Sequence, residues 1–169
     1  TASPALSEEA EAKYQELKEI FVQMNETEEE WRAVNEEFKS AIGEWESVYK
    51  SLPPPADIKM KALKYCEEEY SYLKKTKDIH EKWIAAYEQI DQTLPGAMVM
   101  REVDAPGDRP WTEYSINRES IESIIGKMPV DVERAFFPHS RGTTLSTLTT
   151  EDLEKLRLRL ERFRELAKK

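Results

Sequence analysis

The stretch YQELKEIFVQMNETEEEWRAVNEEFKSAIGEWESVYKSL, residues 14–52, decides the fold. Read in alternating steps of three and four, it gives Tyr14, Leu17, Phe21, Met24, Glu28, Trp31, Asn35, Phe38, Ile42, Trp45, Tyr49 and Leu52, and ten of these twelve positions are apolar. No proline interrupts the run, and Gly43 is its only glycine. An apolar residue every three to four positions places one greasy stripe on one side of a helix, in a heptad seam of roughly five and a half repeats. A second line seven residues apart, Ile20, Thr27, Val34, Ala41 and Val48, lies beside the first. A two-stranded coil needs only a narrow seam, so the widened face predicts packing against more than one helix.

The seam sets the boundaries of a helix over about residues 7–52. Ser7 is placed to cap it, and Glu8, Glu9 and Glu11 put carboxylates at its positive end. At ~1.5 Å per residue a helix of this length measures about 65–70 Å, which predicts an elongated molecule. Two seam positions are polar. Asn25 to Glu30 either passes through the helix or breaks it, with Thr27 capping a second segment and Glu30 completing a capping box. Asn35 either fixes register, as buried polar residues do in coiled coils, or faces water.

Pro53-Pro54-Pro55 cannot continue a helix and forms a short, stiff connector. A second amphipathic helix follows over about 57–94, its seam running Ala62, Cys66, Tyr70 or Glu69, Leu73, Thr76, His80, Trp83, Tyr87, Ile90 and Leu94, and Pro95-Gly96 stops it. Two long helices of matched length joined by a stiff turn predict an antiparallel hairpin over residues 1–95. Long helices bearing spaced tryptophans resemble spectrin-type repeats in architecture. That resemblance implies a third long helix, where this chain has a proline- and glycine-rich stretch instead.

Residues 96–169 are expected to be loop-rich and to fold with the hairpin. Ala97–Val103 suits a short extended piece; Trp111, Tyr114 and Ile116 are placed to anchor a loop. Asn117 caps a short helix over about 117–128, with Ile121, Ile124, Ile125 and Met128 on one face, and Val130–Phe137 suits a further helical turn. His139–Thr150 reads as loop by composition, with hydroxyls open to phosphorylation. A last helix over about 150–168, capped by Thr149 or Thr150, steps 3-4-3-4 through Leu153, Leu156, Leu160, Phe163 and Ala167. The expected fold is therefore mainly α: a hairpin of two long helices with a short C-terminal helical region packed back on it.

Charge is segregated along the chain. The net −9 combines −8 over residues 7–50, −6 over residues 51–154 and +5 over residues 155–169. Acidic first helix and basic last helix are expected to lie side by side and neutralise each other; otherwise the basic tail meets an anionic partner. At 39% hydrophobic and 35% charged, the composition suits solvent-exposed helices. One cysteine, Cys66, allows no internal disulfide, and no run approaches ~18 apolar residues, so a reduced, cytoplasmic setting is expected. The chain opens on Thr1 and not on Met, which leaves room for an excised fragment and a lost targeting signal.

Chemistry finds little support in the residues. His80 and His139 stand at no metal-binding spacing, and neither phosphate loop nor nucleophile elbow occurs. Cys66 and His80 lie ~21 Å apart on a straight helix, far beyond the reach of a base. We therefore expect no catalytic residue, cofactor, metal or small-molecule substrate. The expectation is a non-enzymatic protein-interaction module of the scaffold, assembly or cytoskeleton-associated kind, with self-association through the exposed seam as one form. Its candidate contact residues are Trp31, Trp45, Arg157, Arg159, Arg162 and Arg164. The alternative is a peripheral binder of an anionic membrane or nucleic acid through the basic last helix.

Overall fold

The computed structural model describes residues 7–103, 111–126, 143–145 and 149–169. It is mainly helical: α1 (Glu8–Tyr49), α2 (Ile58–Thr93), β1 (Met98–Val103), β2 (Trp111–Ile116), α3 (Arg118–Ile125), β3 (Thr143–Leu145) and α4 (Thr150–Ala167).

The first helix starts where its cap lies. Ser7 Oγ accepts from the Ala10 amide at 3.2 Å, and Glu8, Glu9 and Glu11 occupy the first turn. It passes unbroken through Asn25–Glu30. Thr27 does not cap a new segment; its hydroxyl donates back to the Gln23 carbonyl at 2.9 Å, a bond available only inside a helix. Glu28, half buried at its seam position, pairs with Arg32, one turn on, at 2.9 Å. The helix closes with the Ser51 amide bonded to Val48 O, just ahead of the prolines. α2 stops at Thr93: Gly96 takes φ +88°, a conformation that costs glycine nothing, and its amide donates to Asp91 Oδ1 at 3.2 Å.

Contacts divide the chain into two units, Thr1–Thr27 with His80–Thr147, and Glu28–Ile79 with Leu148–Lys169. The first unit holds the denser core. Leu17, Phe21 and Met24 of α1 are 1% exposed, and Tyr87 and Ile90 of α2 are fully buried. The indole of Trp83 donates to the Met24 carbonyl at 3.5 Å. A three-stranded antiparallel sheet, order β1-β2-β3, completes this unit. Met98 pairs with Ile116, Val103 with Trp111, and Thr112 with Leu145. Ile116, Leu145 and, from α3, Ile121 are buried in this unit, and Tyr114 stacks on Tyr87 at 5.3 Å. Asn117 caps α3 as its sequence predicts, accepting from the Glu119 amide at 3.1 Å.

The sheet corrects the expectation of a loop-rich region. Trp111, Tyr114 and Ile116 belong to β2 and not to a loop, with Tyr114 and Ile116 on its buried face, and Leu145 belongs to a strand in a stretch read as loop. No third long helix of the spectrin type follows α2 among the described residues; a strand begins five residues after it. α3 ends at Ile125 on Gly126, whose φ is +75°. Met128, the expected helical turn over Val130–Phe137, and His139 lie outside the described residues.

In the second unit α1 and α2 run antiparallel, with Asn35 beside Tyr72 and Trp45 beside Tyr65. α4 packs on α2: Leu160 is 7% exposed, and Arg164 Nε meets Glu67 at 3.0 Å. The basic helix thus lies against α2, where the charge argument expected it beside the acidic first helix. Its start is a full capping box, with Thr149 Oγ1 accepting from the Asp152 amide and Asp152 Oδ2 from the Thr149 amide.

Candidate functional site

The apolar stripe of α1 is covered unevenly. In the first unit Leu17, Phe21 and Met24 are sealed. In the second, Trp31, Val34, Phe38, Ile42, Trp45 and Val48 are only half buried. The reason is the surface that meets each part. Strands and α3 add apolar cover in the first unit, whereas helices alone form the second.

Across the second unit the two helices meet through aromatic faces. Phe38 stacks on Tyr72 with ring centroids 4.3 Å apart and 12° between planes, and Trp45 on Tyr65 at 5.7 Å and 17°. Stacked pairs of this kind add about 0.5–1.5 kcal/mol beyond area burial. The Tyr72 hydroxyl donates to Asn35 Oδ1 at 2.8 Å, so the polar seam residue is answered from the other helix and does not face open water.

Beside this ladder lies an open groove of two adjoining cavities, about 360 and 440 Å³, which share Ala41, Glu44, Lys64 and Glu68. Val34, Ala41 and Val48 supply its apolar floor. These are the flanking line that sequence periodicity picked out as widening the face. Glu37 and Glu44 stand on the α1 wall; Lys61, Lys64 and Lys75, with Glu68, stand on the α2 wall. Lys75–Glu37 at 3.4 Å and Lys64–Glu44 at 3.7 Å join the walls, with all four side chains largely exposed. Such pairs contribute ~0–1 kcal/mol each.

The seam read for α2 needs correction here. Cys66, Tyr70 and Leu73 border a cavity with Leu156 and Leu160 of α4, while Tyr65 and Tyr72 face α1. Tyr65 and Tyr72, spaced by seven, mark the contact with α1 in this unit, and Ile79, seven further on, is buried. The Cys66 thiol is pushed up by burial and then by Glu69 and Glu67, so it stays protonated near neutral pH. Among the described residues no group of His, Cys, Asp and Glu side chains is placed to hold a metal ion.

The candidate arginines do not form one patch. Arg157 forks onto Glu154 at 2.6 and 3.0 Å. Arg164 bonds Glu67 and Glu161, and the Glu67 carboxylate above all holds its guanidinium above the ordinary range. Arg159 borders the Cys66 cavity, and Arg162 is exposed. Lys155 pairs with Glu151 and Lys168 with Glu165. Counted from Thr149, the helix and its tail carry seven basic and five acidic residues, a modest +2. Of the two candidate tryptophans, Trp45 borders the groove and Trp31 is half buried on the same stripe. No described helix is long and apolar enough to cross a membrane. Compared with protein-family models, curated proteins and solved structures, the chain finds no match.

Proposed function

We propose that this chain is a protein-interaction module that docks a partner on the open face of the α1–α2 pair in the second unit. The observation carrying the reading is the change in cover along one helix: a stripe sealed at Met24 is half open from Trp31 to Val48. Aromatic side chains held rigid by stacking make good contact residues, because little rotamer freedom remains to be lost on binding. Trp45 stacked on Tyr65 and Phe38 stacked on Tyr72 form such a set. The basic helix is a weaker docking surface for an anionic polymer, since the segment from Thr149 carries a net charge of only +2.

The test compares proteins that co-purify with the chain and with two folded variants. Val48→Glu places a charge on the groove floor, and Lys39→Glu changes charge at an exposed site outside the groove. With melting temperatures matched, a specific partner should be retained by Lys39→Glu and fall about tenfold with Val48→Glu. Equal recovery with both variants would remove this face from the function.

A further inference from the structure

We infer that the occupant of the groove is a single amphipathic helix from a different protein, with one cationic and one anionic flank. This rests on the interaction reading above and adds the partner's chemistry and its direction. The floor residues Val34, Ala41 and Val48 recur every seven positions and so form one apolar line along α1, against which the apolar face of a partner helix can lie. From Val34 to Val48 the floor runs about 21 Å, so four turns or some fifteen residues of partner helix fill it.

The walls define the flanks. The α1 wall presents Glu37 and Glu44, one helical heptad apart, and no lining cation. The α2 wall presents Lys61, Lys64 and Lys75 against Glu68 alone. A helix seated between them meets negative charge on one side and net positive charge on the other. Its own flanks must be Lys or Arg toward α1 and Asp or Glu toward α2. The wall pairs Lys75–Glu37 and Lys64–Glu44 are exposed and weak, so a partner's charges can replace them at small cost. A helix has a hand: reversing its direction exchanges its flanks. The two walls therefore also select one of the two directions in which a given helix can lie. A second copy of α1 is a poor occupant, because its helix is strongly acidic and sets carboxylates against Glu37 and Glu44.

The experiment uses the full chain and three synthetic fifteen-residue helices with the same leucine face. One carries Lys on one flank and Glu on the other, one carries Lys on both, and one Glu on both. Fluorescence anisotropy at low salt should rank the mixed peptide first by at least tenfold. The variant Glu37→Lys with Glu44→Lys, both exposed, makes both walls basic and should move first place to the all-Glu peptide. Loss of the ranking at high salt is expected. Equal binding of all three peptides, binding of none, or an unchanged ranking in the double variant overturns the inference. So does a dimer of the chain in sedimentation that Val48→Glu disperses, which would make a second copy the occupant. Partner recovery that responds to Val48→Glu while the peptides show no flank preference removes only the polarity and leaves the interaction reading standing.

Discussion

The hydroxyl of Tyr72 donates to Oδ1 of Asn35 across 2.8 Å, a bond between helices at a half-buried seam position. Removing either partner leaves the other partly desolvated, which costs about 1 kcal/mol. Asn35→Ala and Tyr72→Phe should each lower stability by roughly that amount, and the double variant should cost less than the two singles added. Urea unfolding of the four proteins measures this coupling, expected at about 0.5–1.5 kcal/mol. Strict additivity would show that the bond contributes nothing to holding the two helices together.

The two phenylalanines of α1 report on the uneven core. Phe21 is 1% exposed, and truncation to alanine leaves a cavity in a sealed interior, at ~3–5 kcal/mol. Phe38 is half buried against Tyr72 and borders the open groove, where water fills the space it leaves. Phe38→Ala should cost less than about half as much. Denaturation curves of the two variants decide the matter, and equal losses would contradict the contrast in packing.

Much of this fold is legible in the chain because helices announce themselves locally. Phe21, Met24, Trp83 and Ile90 sit at the expected periodicity, the caps at Ser7 and Asn117 stand where the sequence places them, and of the two threonines it offered for the last helix the structure uses Thr149. The sheet is not legible in the same way. β1 is half of an antiparallel pair whose register joins Met98 to Ile116, eighteen positions on, and nothing within either segment states that pairing. Its exposed Val99 and Met100 also break the alternation that marks a half-buried strand. The groove was half legible. Val34, Ala41 and Val48 were visible as a flanking line, but which helix covers that line is a tertiary fact. So is the assignment of Cys66 and Leu73 to α4 rather than to α1.

Cys66 should be a slow thiol. Burial raises its pKa first, and the carboxylates of Glu69 and Glu67 add to the effect. Alkylation by iodoacetamide should be slow at pH 7, with a midpoint above that of free cysteine, and Glu69→Gln should move the midpoint down. The raised value also carries a stability consequence. The folded state holds this proton more tightly than the unfolded chain, so the contribution is present below the ordinary thiol range and is lost as pH rises through the raised value. Tyr65 is raised too, by burial and then by Glu69, and acts in the same direction. The second unit should therefore loosen on the alkaline side. An alkylation midpoint at or below that of free cysteine would contradict this placement of Cys66 between α2 and α4.

The capping box that starts α4 offers a test of how this helix is held. Thr149 Oγ1 accepts from the Asp152 amide at 3.1 Å, and Asp152 Oδ2 accepts from the Thr149 amide at 3.0 Å. Both amides are among the first four of the helix, whose N–H groups have no preceding helical carbonyl to donate to. Thr149→Ala should cost about 1 kcal/mol, or about 2–4 °C in melting temperature, and Thr149→Ser should recover most of it by restoring the hydroxyl. Hydrogen exchange separates fraying of the first turn from release of the whole helix. Because Leu160 and the Arg164–Glu67 pair anchor α4 on α2 further along, exchange should rise only near Asp152. Faster exchange along the entire helix would mean that the cap, and not packing against α2, keeps it in place.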